Sequence, residues 1–374
     1  MRKHAILSAS SAHRWMKCPP SARLCEKYED KGSDYARQGT CAHELCQYKL
    51  EELLGRSPND PRESLDYYDE EMEICSDGYA AFVMEHVAEA QNVCSDPIVL
   101  VEQRLDFSRF VPEGFGTGDC VIVSDGTLRV IDYKHGVGVM VSAEGNEQMR
   151  CYALGALELF DGIYDIDTVS MSIYQPRREN ISTDVMSRDE LYRWAEEVLK
   201  PTAALAFEGK GEFCAGDHCQ FCSAKATCRK RAEYNLELAR YDFEMPAELE
   251  NDEIALILTK VDELVSWAGD IKTYALSQAL SGVKYEGFKV VEGRSNRKYT
   301  DEEAVARAVT EAGHDPYEKK LLGITAMTSL LGRKKFDEIL GDLVFKPAGR
   351  PTLVQESDKR PAMDTVNDYF QEEK

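Results

Sequence analysis

The residues best suited to chemistry are Asp119, Asp132 and Lys134, with His43 upstream and Gln148 and Tyr152 downstream. Gly118-Asp119 and Ile131-Asp132-Tyr133-Lys134 set two carboxylates and a lysine on either side of Asp125-Gly126, a tight-turn signal. Paired carboxylates hold a hard divalent cation, and an adjacent ammonium meets a scissile phosphate or the attacking water. That chemistry is metal-dependent phosphodiester hydrolysis. A bland reading competes with it: Asp132 and Lys134 as a surface ion pair worth about 0–1 kcal/mol. His43, beside Cys41, Leu45 and Cys46, is equally readable alone as a satisfied core histidine. A second group is Cys219-x2-Cys222-x5-Cys228, whose spacing brings three thiolates together. Cys18, Cys214 or His218 can complete it. With Cys18 the set suits a [4Fe–4S] cluster, whereas an all-local set suits Zn²⁺.

These residues must be positioned by a sheet and its flanking helices. Strands are expected at Ile98–Phe107, Val121–Ser124 and Thr127–Tyr133, the last returning Asp132 beside Asp119. Residues i and i+2 of a strand share a face, so Asp132 and Lys134 point the same way. A helix from about Tyr35 to Leu54 carries His43. Another, over 145–160, sets Gln148 and Tyr152 one turn apart. Ile74–Val93 reads as a helix after an acidic 56–73 loop, and Thr168–Tyr174 as a strand. Ser187–Phe207 reads as a helix broken or kinked at Pro201 that delivers the chain to the cysteines. Asp252–Leu280 bears one continuous apolar stripe, capped by Asn251 and stopped at Gly282. Phe288–Glu292 with Gly293–Tyr299 suggests a basic hairpin, and Thr300-x-x-Glu303 a capping box. Helices follow up to Leu340. The last thirty or so residues look like a tail with little core.

Taken together, these motifs resemble a RecB-like nuclease of the PD-(D/E)XK superfamily, in the branch that carries an iron–sulfur cluster. Asp132-Tyr133-Lys134 resembles its Asp-Tyr-Lys core, and Gly39-Thr40-Cys41-Ala42-His43 its Gly-Thr-x-x-His motif. Gln148 to Tyr152 resembles its Gln-x-x-x-Tyr motif. Ser8-x-Ser10, Cys18-Pro19 and Cys219-Cys222-Cys228 resemble its split cysteines and favour Cys18 as the fourth ligand. The match spans roughly residues 6 to 231, in the family's order. The resemblance implies an α/β, restriction-endonuclease-like core with a mixed central sheet. It implies His43, Asp119 and Asp132 as ligands of Mg²⁺ or Mn²⁺, with Glu102 as a further candidate and help from the Tyr133 carbonyl. Lys134 is expected to orient or activate water, with Gln148 and Tyr152 over the site. The expected substrate is DNA, as single strands or duplex ends, processed by an exonuclease-type activity in phage recombination or replication. The domains expected are 1–240, the nuclease with its iron–sulfur staple, and 245–374, a mainly helical extension.

Bulk properties narrow the alternatives. No apolar run is long enough for a membrane span, and the N-terminus lacks a signal peptide's apolar core, so a cytoplasmic protein is expected. Twelve cysteines there read as free thiols and metal ligands. Cys25, Cys41, Cys46, Cys75, Cys94, Cys120 and Cys151 are expected as small buried hydrophobes. The net charge of −22 argues against a broadly DNA-coating surface and leaves room only for local basic patches, such as Arg177-Arg178 and 225–231. It keeps open a non-catalytic iron–sulfur or zinc module that binds DNA or a protein partner. No Gly-x4-Gly-Lys-[Ser/Thr] occurs, so any motor, such as a helicase, is expected on a partner.

Overall fold

The β-rich stretch after Pro97 folds into one five-stranded sheet in the order of the sequence: β1 (Ile98–Asp106), β2 (Phe115–Ser124), β3 (Gly126–Tyr133), β4 (Ile166–Gln175) and β5 (Asn180–Ser187). The structure is a computed structural model and describes residues 5–28, 32–237, 251–292, 299–317, 321–331 and 333–345. Gly126 takes φ +78°, a conformation that suits glycine, so β2 turns into β3 with Ser124 opposite Thr127. β3 and β4 are parallel, and the other three pairings are antiparallel. A parallel pair needs a crossover, and the segment after β3 supplies a helix for it.

Upstream of the sheet lie α1 (Ala12–Lys17), α2 (Ser21–Cys25), α3 (Asp34–Leu53) and α4 (Glu70–Val93). The crossover helix is α5 (Glu147–Phe160), and β5 leads into α6 (Arg188–Trp194) and α7 (Lys200–Glu208). Strand alternation splits the core between the two faces. Val121, Val123, Leu128, Val130, Met171 and Ile173 pack with α5 and with Leu191, Leu199 and Ala203. Cys120, Ile122, Ile131 and Tyr133 pack with Leu45 and Leu50 of α3 and with Met72, Tyr79 and Val83 of α4. Gly155 lets α5 lie close on β1, since a Cβ there would sit 2.9 Å from Leu105 Cβ and 3.1 Å from its carbonyl carbon.

Several elements differ from expectation. α4 begins at Glu70, because Asp69 accepts from the Met72 amide at 2.7 Å and the first-turn Glu70, Glu71 and Glu73 suit the positive helix end. β5 was missing from the sequence reading, because its apolar Ile181 and Val185 face outward. The 187–207 helix is interrupted by a π-helical turn at Ala195–Leu199, one step before the kink expected at Pro201. Proline there removes the amide that would bond the carbonyl four residues back, and the ladder widens. The stripe at 252–280 is two helices with a break at Thr259-Lys260.

The chain divides into two compact units, 1–249 with 260–284, and 250–259 with 285–374. The first also holds α8 (Arg229–Leu236). α9 (Asn251–Leu258) belongs to the second unit and α10 (Val261–Leu280) to the first. The second unit continues with α11 (Glu302–Glu311), α12 (Ile324–Leu331) and α13 (Arg333–Leu340). Asp301, not Thr300, caps α11 by accepting from the Ala304 amide at 2.9 Å. Phe288–Glu292 has no strand, and 293–298, the middle of the expected basic hairpin, lies outside the described residues, as does the tail beyond 345. No helix among the described residues is long and apolar enough to cross a membrane.

Candidate active site

Asp119 on β2 and Asp132 on β3 come together at one end of the paired strands, both buried. Asp119 Oδ2 accepts from the Tyr133 amide at 2.6 Å, which fixes the carboxylate against the neighbouring strand. Its Oδ1 lies 3.2 Å from His43 Nδ1, delivered by α3. The Tyr133 ring meets the His43 ring edge-on at 5.5 Å and orients it from the other side.

Glu102 completes the group. Its carboxylate, His43 and Asp119 offer ligand atoms that all lie within 4.8 Å of one another, the one such group among the described residues. Register places Glu102 across from Asp119, between the pairs Val101–Cys120 and Gln103–Gly118. Glu102 holds φ +49°, a strained conformation for a side-chain-bearing residue inside a strand. One nitrogen and two carboxylates suit a borderline-to-hard divalent ion such as Mn²⁺ or Mg²⁺.

Asp132 stands next to this group and serves a different neighbour. Lys134 Nζ is 2.7 Å from Asp132 Oδ2, as the shared strand face requires. Gln148 on α5 ties the pair together: its Oε1 accepts from Lys134 Nζ at 3.2 Å, and its Nε2 donates to Asp132 Oδ1 at 3.2 Å. The same Nε2 donates to the Tyr152 hydroxyl at 3.1 Å, one helical turn away. All the acid–base residues singled out from the sequence therefore meet at one place.

Electrostatics at the site follow from crowding charge out of water. Burial pushes the Asp132 carboxyl up against the pull of Lys134, and Asp119 adds to the push. Asp119 is buried too, but His43, Lys134 and the Tyr133 amide outweigh burial and hold it below its usual range. Burial and the Asp119 charge raise Glu102 to about 7. Burial works against the His43 imidazolium, yet Asp119 wins and raises it to about 9. Lys134 likewise stays an ammonium, because Asp132 and Asp119 overcome its desolvation.

His135 escaped sequence reasoning. It is buried, its Nδ1 lies 2.8 Å from the Tyr133 hydroxyl, and burial with the Arg177 charge lowers it to about 4. It is a neutral partner that fixes Tyr133. Its one sequence signal was the two-residue spacing from that tyrosine.

The cysteines gather where α1 meets the 213–228 loop. Cys18, at the end of α1, accepts from the Cys214 amide at 3.5 Å; Cys18, Cys219 and Cys222 are buried, and Cys228 is half-buried at the start of α8. No three thiols lie within 4.8 Å among the described residues. A single zinc ion needs sulfurs about 3.8 Å apart. His218 turns its Nε2 to the Cys214 carbonyl at 3.0 Å, and its buried Nδ1 has no hydrogen-bond partner, with Asp217 Oδ1 3.7 Å away. Cys25 departs from the small-hydrophobe expectation. Its sulfur sits 3.6 Å from Cys222 Sγ and 3.1 Å from Arg14, and the bond with Cys222, helped by Arg14 against burial, lowers it to about 5. Cys46, Cys75, Cys94, Cys120 and Cys151 are buried, and Cys41 is half-buried.

A family model described as "Protein of unknown function (DUF2800)" matches residues 4–361. The chain belongs to the DUF2800 family. A solved structure titled "Crystal structure of SSO0001" shares 13% identity, with 52% of this chain and 98% of that chain covered. The TM-score is 0.24, and the likeness carries no argument here.

In this DUF2800 protein the site is linked to the cysteine corner through His13. Its Nδ1 lies 3.4 Å from Glu147, next to Gln148, and its Nε2 lies 3.2 Å from Asp217 in the cysteine loop. Glu102 and His43 both bind protons more tightly folded than unfolded, so their stabilisation is complete below their unfolded values and is lost as pH rises through about 7 and about 9. The melting temperature of chelator-treated protein should fall by several degrees from pH 6 to pH 9. Saturating Mn²⁺ should remove most of that fall, because the cation replaces the protons. Calorimetric melting with and without Mn²⁺ checks this; a metal-free melting temperature flat across that range would refute it.

Proposed function

We propose that this chain is a divalent-metal-dependent DNA nuclease of RecB-like, PD-(D/E)XK type. The observation that carries the reading is the convergence of His43, Glu102 and Asp119 within 4.8 Å, next to the Asp132–Lys134 ion pair. A bound Mg²⁺ or Mn²⁺ would supply Lewis-acid activation of a phosphate oxygen and of water. The donor set fits such an ion, since one imidazole and two carboxylates offer ligand atoms within 4.8 Å of one another. Lys134 remains an ammonium, so it serves as a fixed positive charge for the phosphate oxygens and not as a base. Gln148 and Tyr152 hold Lys134 and Asp132 in place before substrate arrives. Water attacks phosphorus in line with the leaving sugar oxygen, and that P–O bond breaks.

The cysteine corner supports an iron–sulfur staple as the second part of this reading. Cys18 comes from one end of the unit, and Cys219, Cys222 and Cys228 from the other. One cysteine from α1 and three from the 213–228 loop are the split set that the resemblance implies for a four-iron cube. Such a cluster would close a long loop between α1 and α8, with His13 passing its position to α5. The nuclease reading is tested by cleavage of end-labelled linear DNA in Mn²⁺ against chelator, using protein purified without oxygen.

A further inference from the structure

Cys25 lies outside the four-cysteine set, yet one of the four is placed against it. Its Sγ is 3.6 Å from Cys222 Sγ, across 197 residues of chain. Atoms ready for a displacement stand about 3–3.5 Å apart, so the two sulfurs are close to that arrangement. Both are held there. Arg14 Nη1 donates to Cys25 Sγ at 3.1 Å and is itself anchored on the Ser21 carbonyl at 2.8 Å and the Ser21 hydroxyl at 3.1 Å. Cys222 sits in a run of tight turns: its amide donates to the Cys219 carbonyl at 3.0 Å, and its carbonyl accepts from the Lys225 amide at 3.0 Å. A further contact docks the same two segments, the Tyr28 and Thr227 hydroxyls lying 2.7 Å apart.

Cys18 provides the contrast. It accepts from the Cys214 amide at 3.5 Å, so Cys18 and Cys25 engage different parts of the cysteine loop. Cys222 is buried, whereas Cys25 is half-buried. A small disulfide RS–SR arriving from solvent therefore meets Cys25 first, with Cys222 behind it. The Cys25 sulfur attacks one sulfur of RS–SR; that S–S bond breaks, and the departing RS⁻ takes the proton that Cys25 gives up. The Cys222 sulfur then attacks Cys25 in the mixed disulfide, and the second RS⁻ leaves with the Cys222 proton. Two protein thiols lose two electrons, and one small disulfide is reduced to two thiols.

We propose that Cys25 and Cys222 close to a reversible disulfide in the metal-free protein, with a low-molecular-weight disulfide such as that of glutathione as oxidant, and that this bridge withholds Cys222 from a metal at the cysteine corner. The withholding rests on the iron–sulfur reading, whereas the pair itself does not. The bridge ties α2 to the 213–228 loop, so the N-terminal helices and the loop stay joined while the corner is empty. Ligation needs a free thiolate, and a Cys222 sulfur bonded to Cys25 has none to offer. Excess small thiol reverses the exchange and frees both sulfurs. Where glutathione keeps thiols reduced, a disulfide that opens and closes in this way is a redox sensor.

The test uses the full chain, purified without oxygen, stripped with chelator and exposed to glutathione disulfide. After alkylation and digestion, mass spectrometry should find a peptide whose fragment ions link Cys25 to Cys222, and dithiothreitol should remove it. Bridged wild type, given ferrous iron and sulfide, should lose most of the iron uptake of reduced wild type. Cys25→Ser should give no such peptide and, after the same glutathione exposure, should take up iron as reduced wild type does, because buried Cys222 is not oxidised alone. Cys25 and Cys222 alkylated separately, or bridged to other cysteines, would overturn the pair. Bridged protein that loads iron like the reduced form overturns the withholding. Failure of the iron–sulfur reading shows separately, as reduced protein that takes up no iron; the withholding falls with it, and the digest remains decisive for the pair.

Discussion

Lys134→Ala should lower Mn²⁺-dependent DNA cleavage by about 10²–10³-fold with little loss of fold. The substitution removes the positive charge 2.7 Å from Asp132 and the donor to Gln148, both part of the same buried network. Removing one partner of a buried ion pair is usually severe, because a charge is left without compensation. Here Asp132 has an escape. Burial already pushes its carboxyl up, and removing Lys134 takes away the charge that opposes the push, which favours the protonated form over an uncompensated charge. The melting temperature should therefore change little while turnover collapses. Lys134→Arg should not rescue it, since a planar guanidinium places its charge and donors differently from an ammonium point charge. Steady-state cleavage with melting curves checks this, and a Lys134→Ala enzyme that turns over like wild type would remove Lys134 from the mechanism.

Arg231→Leu should produce the largest loss of stability, about 3–5 kcal/mol and a drop in melting temperature on the order of 10 °C. Arg231 on α8 is fully buried, its Nε 2.6 Å from Glu263 and one terminal nitrogen 2.5 Å from Asp270, both on α10. That nitrogen also donates to the Lys225 carbonyl at 3.3 Å, so one side chain locks α10 to the end of the cysteine loop. Leucine would leave two part-buried carboxylates facing an apolar group. Arg231→Leu/Glu263→Leu/Asp270→Leu should recover most of the loss, since a buried charge cluster can be replaced whole at little cost. A single variant that melts like wild type would show that the cluster holds nothing.

How far the site could be read in advance depended on which residues report locally. Asp132 and Lys134 were legible because the two-residue strand period puts them on one face, and Gln148 and Tyr152 because a helical turn does the same. Asp119 needed only the Asp125-Gly126 turn to return beside them. His43 was ambiguous alone, since the α3 pattern around it is that of a core helix, and only the Asp119 contact decides it. Glu102 was harder. Its participation depends on a left-handed backbone inside a strand, which no propensity of glutamate suggests. His135 left only its two-residue spacing from Tyr133 as a signal, and Cys25 acts through a tertiary contact with Cys222 that leaves no trace in spacing.

The fold was legible where hydrophobic pattern and chain punctuation agreed, as in α3, α5 and the β2–β3 hairpin. It was missed where the two conflicted. The acidic run before Ile74 reads as a solvated loop, yet carboxylates are favourable in a first helical turn, and α4 begins there. β5 shows outward apolar residues, the reverse of the usual sign. The 252–280 stripe continues across a break because its period survives the interruption at Thr259-Lys260.

The most direct test of the central claim is cleavage of end-labelled single-stranded DNA by wild type and Asp119→Asn in parallel, each in Mn²⁺ and in chelator. Asparagine keeps the shape of Asp119 and can still accept the Tyr133 amide, but it removes the charge that draws in His43 and a cation. The site described here predicts cleavage by wild type in Mn²⁺ alone, reduced at least a hundredfold in Asp119→Asn. Equal cleavage by both proteins, or cleavage by wild type undiminished in chelator, would contradict it.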